Sequence, residues 1–285
     1  MNLKYTLSPI FAAGAAIWTR LTAAKSRFQT VILHDVRAEQ YSALHRLLEL
    51  IGRDHGFLTP NEAVGRLTAT NEVGDGGARL PCLLTFDDGF NSAIPVARDI
   101  LSRFDAKAVF FICPGLIDMP PDRQDHAVRA NVFGGHTPRA TVPRLLSWDE
   151  VDELQHAGHT IGAHGMMHLR LSTLTPADYP SEITAARLRL AEKLGSPPEW
   201  YAYAFGDIGS ISAPALRNIL ADFQFCRSGI RGSNGPDNIP RILTAQEIDL
   251  DSPIKFQRAV LSGALDLRYL SARRRLSDYA RIAAP

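Results

Sequence analysis

Cysteine is scarce in this sequence. Cys82, Cys113 and Cys226 are the only three, and none is paired in a Cys-x-x-Cys motif. Three is too few, and odd in number, for a disulfide framework. Each lies in or beside an apolar, strand-like segment, which predicts buried free thiols rather than a redox site. A surplus of one charge is missing too: 31 Lys and Arg stand against 30 Asp and Glu, a net charge of +1. Dedicated nucleic-acid binding normally needs a large basic excess to neutralise phosphates, so that class is excluded. No run approaches the roughly 18 uninterrupted apolar residues of a membrane span. Internal repeats and low-complexity tracts are also absent. What remains is 285 residues, 45% of them hydrophobic and 21% charged, the mix of a globular protein with a sizeable core.

The N-terminus admits two readings. Lys4 followed by Leu7 to Trp18 has the outline of a signal peptide, with Ala23-Ala24 as a cleavage site. Pro9 and Gly14 interrupt that stretch, and Arg20, Lys25 and Arg27 follow at once. An amphipathic helix from Pro9 to Ala24, capped by Ser8, accounts for the same residues. That helix, and with it a cytoplasmic location, is the expectation carried forward; an extracytoplasmic protein is the alternative.

Beyond it, short β-branched or aromatic runs alternate with helical patterns. Val31-Ile32-Leu33 precedes a helix over Tyr41 to His55, with Leu44, Leu47, Leu48 and Ile51 on one face. Leu80 to Phe86 reads as a buried strand, and Ile94 to Phe104 as the helix after it. Further strands are expected at Ala108 to Ile112, Thr160 to Ala163, Trp200 to Phe205 and Phe223 to Cys226. Ser147 and Glu150 form a capping box for a helix over Trp148 to Ala157. Pro176 to Leu194 and Ala213 to Ala221 supply two more helices. Alternation of this kind predicts a parallel sheet, and its length suits a closed or nearly closed (β/α) barrel. Residues 114–143, rich in Pro, Gly and Asp, read as a long insertion loop of the sort that carries binding roles. The expected division is an N-terminal helical extension (1–30), one barrel (31–263) and a basic C-terminal helix (264–285).

Four constellations at expected strand ends carry chemistry. Asp87 and Asp88, in Thr85-Phe86-Asp87-Asp88-Gly89, would repel one another unless a cation separated their roles, one binding it and the other free as a base. A simple turn is the plainer explanation of Asp-Asp-Gly. His164 and His168 are spaced to converge on one cation, although two capping histidines would look the same. With Asp88 they make two imidazoles and one carboxylate, a three-ligand set that leaves a position open. His34 ends the first strand and, in a single barrel, points into the same mouth, where it could protonate a leaving group. Tyr201 to Asp207 runs into a glycine turn whose backbone N–H groups could hold an oxyanion; core packing explains its aromatics equally well.

These residues resemble the polysaccharide deacetylases of the NodB-homology type, carbohydrate esterase family 4. Thr85 to Gly89 reproduces the family's first motif without change. His164 and His168 fit its second, His-Ser/Thr-x-x-His, with Gly165 in place of the hydroxyl residue. Tyr203-Ala204-Phe205-Gly206 is similar to a variant third motif, without the usual arginine or proline. Arg241 is the candidate to supply that charge from another strand. The C-terminal Leu-x-His motif is missing, and Leu33-His34 fits the permuted variant in which an N-terminal histidine takes its place.

The resemblance spans about Val31 to Gly263 and implies a distorted (β/α)7 barrel. It further implies a divalent metal, commonly zinc, held by Asp88, His164 and His168. Asp87 would be the general base and His34 the general acid, with Phe205 and Gly206 at the oxyanion. The implied reaction is removal of acetyl groups, chiefly N-acetyl, from an oligo- or polysaccharide. A metal-dependent amidase acting on a small non-sugar amide or formamide is the alternative within the same chemistry. A non-catalytic glycan-binding protein on the same scaffold is the alternative from another class. At the C-terminus, Arg268, Arg273, Arg274, Arg275 and Arg281 alternate with Leu267, Tyr269, Leu270 and Leu276. A docked helix with a solvated basic face is preferred there over association with an anionic membrane surface.

Overall fold

The strands of this protein are apolar on both faces, as a parallel sheet covered by helices requires. In the computed structural model, which describes residues 27–68, 80–135, 142–235 and 241–283, β1 (Gln29–Leu33), β2 (Cys82–Phe86) and β3 (Ala108–Ile112) are buried along their whole length. They continue into β4 (Thr160–Ala163), β5 (Trp200–Ala202), β6 (Phe225–Arg227), β7 (Ile242–Leu243) and β8 (Gln246–Glu247). Every pairing is parallel, in the order β7-β6-β5-β4-β3-β2-β1-β8.

The two edges of that sheet are neighbours in the chain. β7 pairs with β6, and β8 pairs with β1. Only Thr244 and Ala245 separate β7 from β8, so the edges cannot lie more than about 11 Å apart. The sheet therefore curls into a ring, and β7 and β8 serve as two halves of its seventh stave. Asn234 fills the break. Its side chain accepts from Thr244 N at 2.8 Å and donates to Thr244 O at 2.9 Å and to Thr30 Oγ1 at 3.0 Å. The expected distorted (β/α)7 barrel is the architecture found.

The period of two along the strands divides their side chains between two cores. Leu83, Val109, Phe111, Trp200, Ala202, Phe225 and Leu243 form the inner one, plugged below by Phe28, Leu58 and Ala63. Leu84, Phe86, Phe110, Ile112, Tyr201 and Cys226 face the surrounding helices. All three cysteines are buried and free.

Several expected elements fall where the pattern placed them. Helices run over Tyr41–Asp54 and Ala213–Asp222. Ser147 caps Trp148–His156, with Glu150 completing the box. Others differ. The helix expected from Pro176 begins at Pro180, because the Asp178 side chain binds back to Thr175 N and Oγ1 in a turn. Most of the described part of residues 114–143 is not a loop: Pro114–Ile117, Pro121–Ala127 and Val128–Val132 are helical, while 136–141 lie outside the described residues. Both prolines occupy first-turn positions, where a missing N–H costs nothing, so they start helices rather than break them. The first strand extends two residues upstream of Val31-Ile32-Leu33, to Gln29. The N-terminal helix expected at Pro9 to Ala24 lies outside the described residues.

The C-terminal helix Leu270–Ala283 buries Leu276 and Ala283. Arg273 donates to Arg231 O and Asp266 O, while Arg217 donates to Ile282 O. The helix is thus docked on the barrel, with Arg268, Arg274, Arg275 and Arg281 exposed. Among the described residues no helix is long and apolar enough to cross a membrane.

Candidate active site

Inward-facing parity, continued one step beyond the strand ends, delivers the polar residues to one place. Leu83 and Thr85 are followed by Asp87, Phe225 by Arg227, Gly162 by His164, and Ile32 by His34. Each is the next inward position above an apolar barrel interior. Asp88 and His168 fall outside this parity and reach the site through left-handed backbone, with φ of 72° and 59°. Phe205 is left-handed as well, at 65°. Conformations of this kind in non-glycine residues persist where surrounding structure enforces them, commonly at functional sites.

Asp88 and the two histidines form one cluster. Asp88 Oδ1 lies 3.5 Å from His164 Nε2 and 3.3 Å from His168 Nε2, and all three side chains are buried. The other ring nitrogens are held by carbonyls: His164 Nδ1 is 2.7 Å from Ala202 O, and His168 Nδ1 is 2.9 Å from Asn131 O. Both rings therefore donate from Nδ1 to a carbonyl and turn Nε2 inward toward Asp88, the orientation typical of metal-ligating histidines. Burial pushes the Asp88 carboxyl upward, but hydrogen bonds from His164 and His168 outweigh it and hold the group well below the usual range. Burial opposes the charge on His168, and the Asp88 carboxylate overcomes it and raises that imidazole.

These three residues fit a divalent cation. One donor atom from each lies within 4.8 Å of the others. Two ligands about 2.0–2.1 Å from a tetrahedral centre stand about 3.4 Å apart, close to the separations from Asp88 to each imidazole. Among the described residues this is the one cluster of its kind.

Asp87 stands beside the cluster, its Oδ2 3.8 Å from His164 Nε2. Arg227 donates to that same Oδ2 from the end of β6. Asp87 Oδ1 is buried and has no hydrogen-bond partner among the described residues. His34 completes the group with Nε2 3.9 Å from Asp87 Oδ2, and its side chain is 43% exposed, so it meets solvent on one side and the buried carboxylate on the other.

Phe205 and Gly206 form the turn after β5. Tyr203 Oη donates to Gly206 O at 2.8 Å, and Gly229 N donates to the same oxygen at 2.9 Å, which closes the turn. A Cβ on Gly206 would meet Gly229 backbone at 2.8 Å, so no larger residue fits. The Phe205 ring is 39% exposed, packs on His168 with centroids 4.9 Å apart, and carries the Arg170 guanidinium 4.2 Å above it.

The structure thus brings together His34, Asp87, Asp88, His164, His168, Phe205 and Gly206. Arg241 is not among them. It sits at the start of β7, the opposite end of the barrel, where it donates to Leu220 O, Phe223 O and Gln224 O. It caps the carboxyl end of the helix Ala213–Asp222, whose last carbonyls need donors. The charge expected of Arg241 comes instead from Arg227. An arginine closing the apolar run Phe225-Cys226 was the signal for it. Asn131 and Glu182 also serve the site without a sequence signature, since each acts through contacts distant in the chain.

Comparison with known proteins agrees with this geometry. The sequence model of polysaccharide deacetylases matches residues 78–221, which include Asp87, Asp88, His164, His168 and the Phe205 turn. The chain belongs to the polysaccharide deacetylase family. Over 264 residues it is 25% identical to a poly-β-1,6-N-acetyl-D-glucosamine N-deacetylase of Escherichia coli strain K12, covering 80% of this chain and 35% of that protein. The chain thus spans about a third of the length of the family relatives it matches first. Its fold is shared with the deacetylase PplD of Streptococcus pyogenes in complex with acetate, at a TM-score of 0.63 and 18% identity over 82% of this chain and 98% of that one. IcaB of Ammonifex degensii has the same fold, at a TM-score of 0.63 and 18% identity over 83% and 97% of the two chains.

Proposed function

We propose that this chain is a metal-dependent hydrolase that removes acetyl groups from N-acetylated sugar residues of an oligo- or polysaccharide. The observation that carries this reading is the unpartnered, buried Asp87 Oδ1 beside three converging ligand atoms. A carboxylate held there by Arg227, and kept apart from the ligand set, is placed to act as a base. The family and the activity named for the E. coli relative supply the substrate class.

Asp88, His164 and His168 would hold the metal, with zinc the first candidate for two imidazoles and a carboxylate. When bound, such a cation polarises the acetyl carbonyl and brings the pKa of water toward about 7. Asp87 accepts a proton at Oδ1 from the attacking water, while Arg227 keeps Oδ2 turned away from that task. The Phe205 N–H, which makes no hydrogen bond to another described residue, donates to the carbonyl oxygen as negative charge gathers on it. His34 gives its proton to the sugar nitrogen as the C–N bond breaks, because an amine departs poorly unless neutralised. Acetate and the free amino sugar leave, Asp87 gives up the proton it took from water, and solvent reprotonates the exposed His34 ring.

The test is release of free acetate from β-1,6-linked N-acetylglucosamine oligomers, before and after chelation and with zinc restored. Release that is lost on chelation and regained with zinc supports the reading. Hydrolysis of small formamides or cyclic amides, with none of the oligomers, would move the substrate to the non-sugar class.

A further inference from the structure

The loop that carries both histidines is wrapped around a single buried acid from another element. Glu182 lies in the helical turn Pro180–Thr184 and is 1% exposed. Its backbone carbonyl accepts from Met166 N at 2.9 Å. Its carboxylate accepts from Met167 N at 3.1 Å and from Leu169 N at 2.9 Å. The amides on both sides of His168 thus converge on one side chain, which leaves the His168 backbone little freedom. These bonds lie in a dry setting, where each is stronger than at a surface.

Gly165 is the counterpart of this arrangement. It stands directly after His164 with φ of +83°, and a Cβ added there would collide with Glu182 Oε1. The space beside its Cα is taken by a carboxylate arriving from another element. From this juxtaposition we infer that Glu182 is the positioning residue of the histidine loop, setting His164 and His168 so that their Nε2 atoms meet Asp88, and that Glu182, by occupying the side-chain space of Gly165, adds to the demand for glycine already made by its positive φ. The inference deepens the proposed metal site and rests on it.

Zinc affinity, measured by competition against a chromophoric chelator, and the visible spectrum of the Co²⁺-loaded protein test this without reference to turnover. Glu182→Gln retains Oε1, which accepts from Met167 N at 3.2 Å and Leu169 N at 2.9 Å, gives up only the second bond from Met167 N to Oε2, and is expected to bind zinc within about threefold of the natural chain. Glu182→Asp is one methylene too short to reach the loop. It and Glu182→Ala are expected to bind about 10–100-fold more weakly, the usual cost of losing support behind a metal ligand, with an altered Co²⁺ spectrum. Gly165→Ala should weaken binding in the natural background. In the Glu182→Ala background the steric part of its effect disappears, so the double variant loses less than the product of the two single losses.

Thermal melts show whether each variant is folded, and if Glu182→Ala is not, the contrast between Asp and Gln at this position decides. Equal affinity for Glu182→Asp and the natural chain, or strictly multiplicative losses in the double variant, would overturn the inference while leaving the metal site standing. A natural chain that binds no cation would overturn the site itself and this inference with it.

Discussion

The Arg227 guanidinium donates to Asp87 Oδ2 inside the barrel, where both side chains are almost wholly buried, and it leaves Asp87 Oδ1 unpartnered. A buried pair of this kind contributes little net stability, yet removing one partner strands a charge in a poor solvent. Arg227→Met is therefore expected to lower unfolding free energy by about 3–5 kcal/mol. Turnover should fall by about 100-fold through loss of base orientation. Urea denaturation and acetate release measure the two effects. A variant with unchanged turnover would show that Asp87 needs no such support.

Two adjacent aspartates should fail in different ways. Asp87→Asn keeps its shape and is expected to retain bound metal while losing about 10²–10⁴-fold in turnover. Asp88→Asn removes a ligand and should lose the metal itself. Elemental analysis of both purified variants, alongside acetate release, separates these outcomes; equal metal content in the two would break the division of roles.

His34→Ala separates protonation from attack. An amide depends on a protonated leaving group far more than an activated acetate ester does. The variant should therefore lose most of its activity on N-acetylglucosamine oligomers and keep most of it on an aryl acetate. Comparable retention on both substrates would remove His34 from the acid role.

His159 predicts how stability responds to acid. Burial against Phe110, with a smaller contribution from Lys107, pushes this imidazole down to about 4, and its Nδ1 accepts from Ala108 N. The folded protein therefore prefers neutral His159, whereas the unfolded chain protonates near the ordinary value of about 6.5. Between those limits the unfolded state binds more protons, so stability is fully present above about 6.5 and is lost as pH falls toward 4. The loss attributable to this group is up to about 3 kcal/mol. His159→Gln should flatten that part of the stability–pH curve, as followed by urea midpoints between pH 7 and 4.

Much of this was legible from alternation and from two short motifs. The strands Ala108–Ile112 and Thr160–Ala163 fall where their apolar runs place them, and Asp87, Asp88, His164 and His168 converge as their motifs imply. What escaped are residues whose role is set by tertiary contact. Arg241 and Arg227 both adjoin short apolar runs; which of them enters the barrel depends on strand parity and on which end of the strand each occupies. Arg241 precedes β7 and is left at the barrel's lower rim. Proline and glycine in the segment after Pro114 suggest a loop, but Pro114 and Pro121 stand at first-turn positions and start helices. In the fold the described part of that segment is mostly helical, and Asn131 from its last turn holds both Met167 O and the His168 ring.

The seam at Thr244 and Ala245 bears on how the molecule behaves in company. A curled sheet that stopped short of closure would present two rows of unpaired backbone groups, each a template for another chain. Here the same stretch of backbone serves both margins: the Asn234 amide satisfies Thr244 N and O, and Ala245 N donates to Ile230 O. Among the described residues, the backbone at this seam is therefore satisfied within the chain and offers no such template.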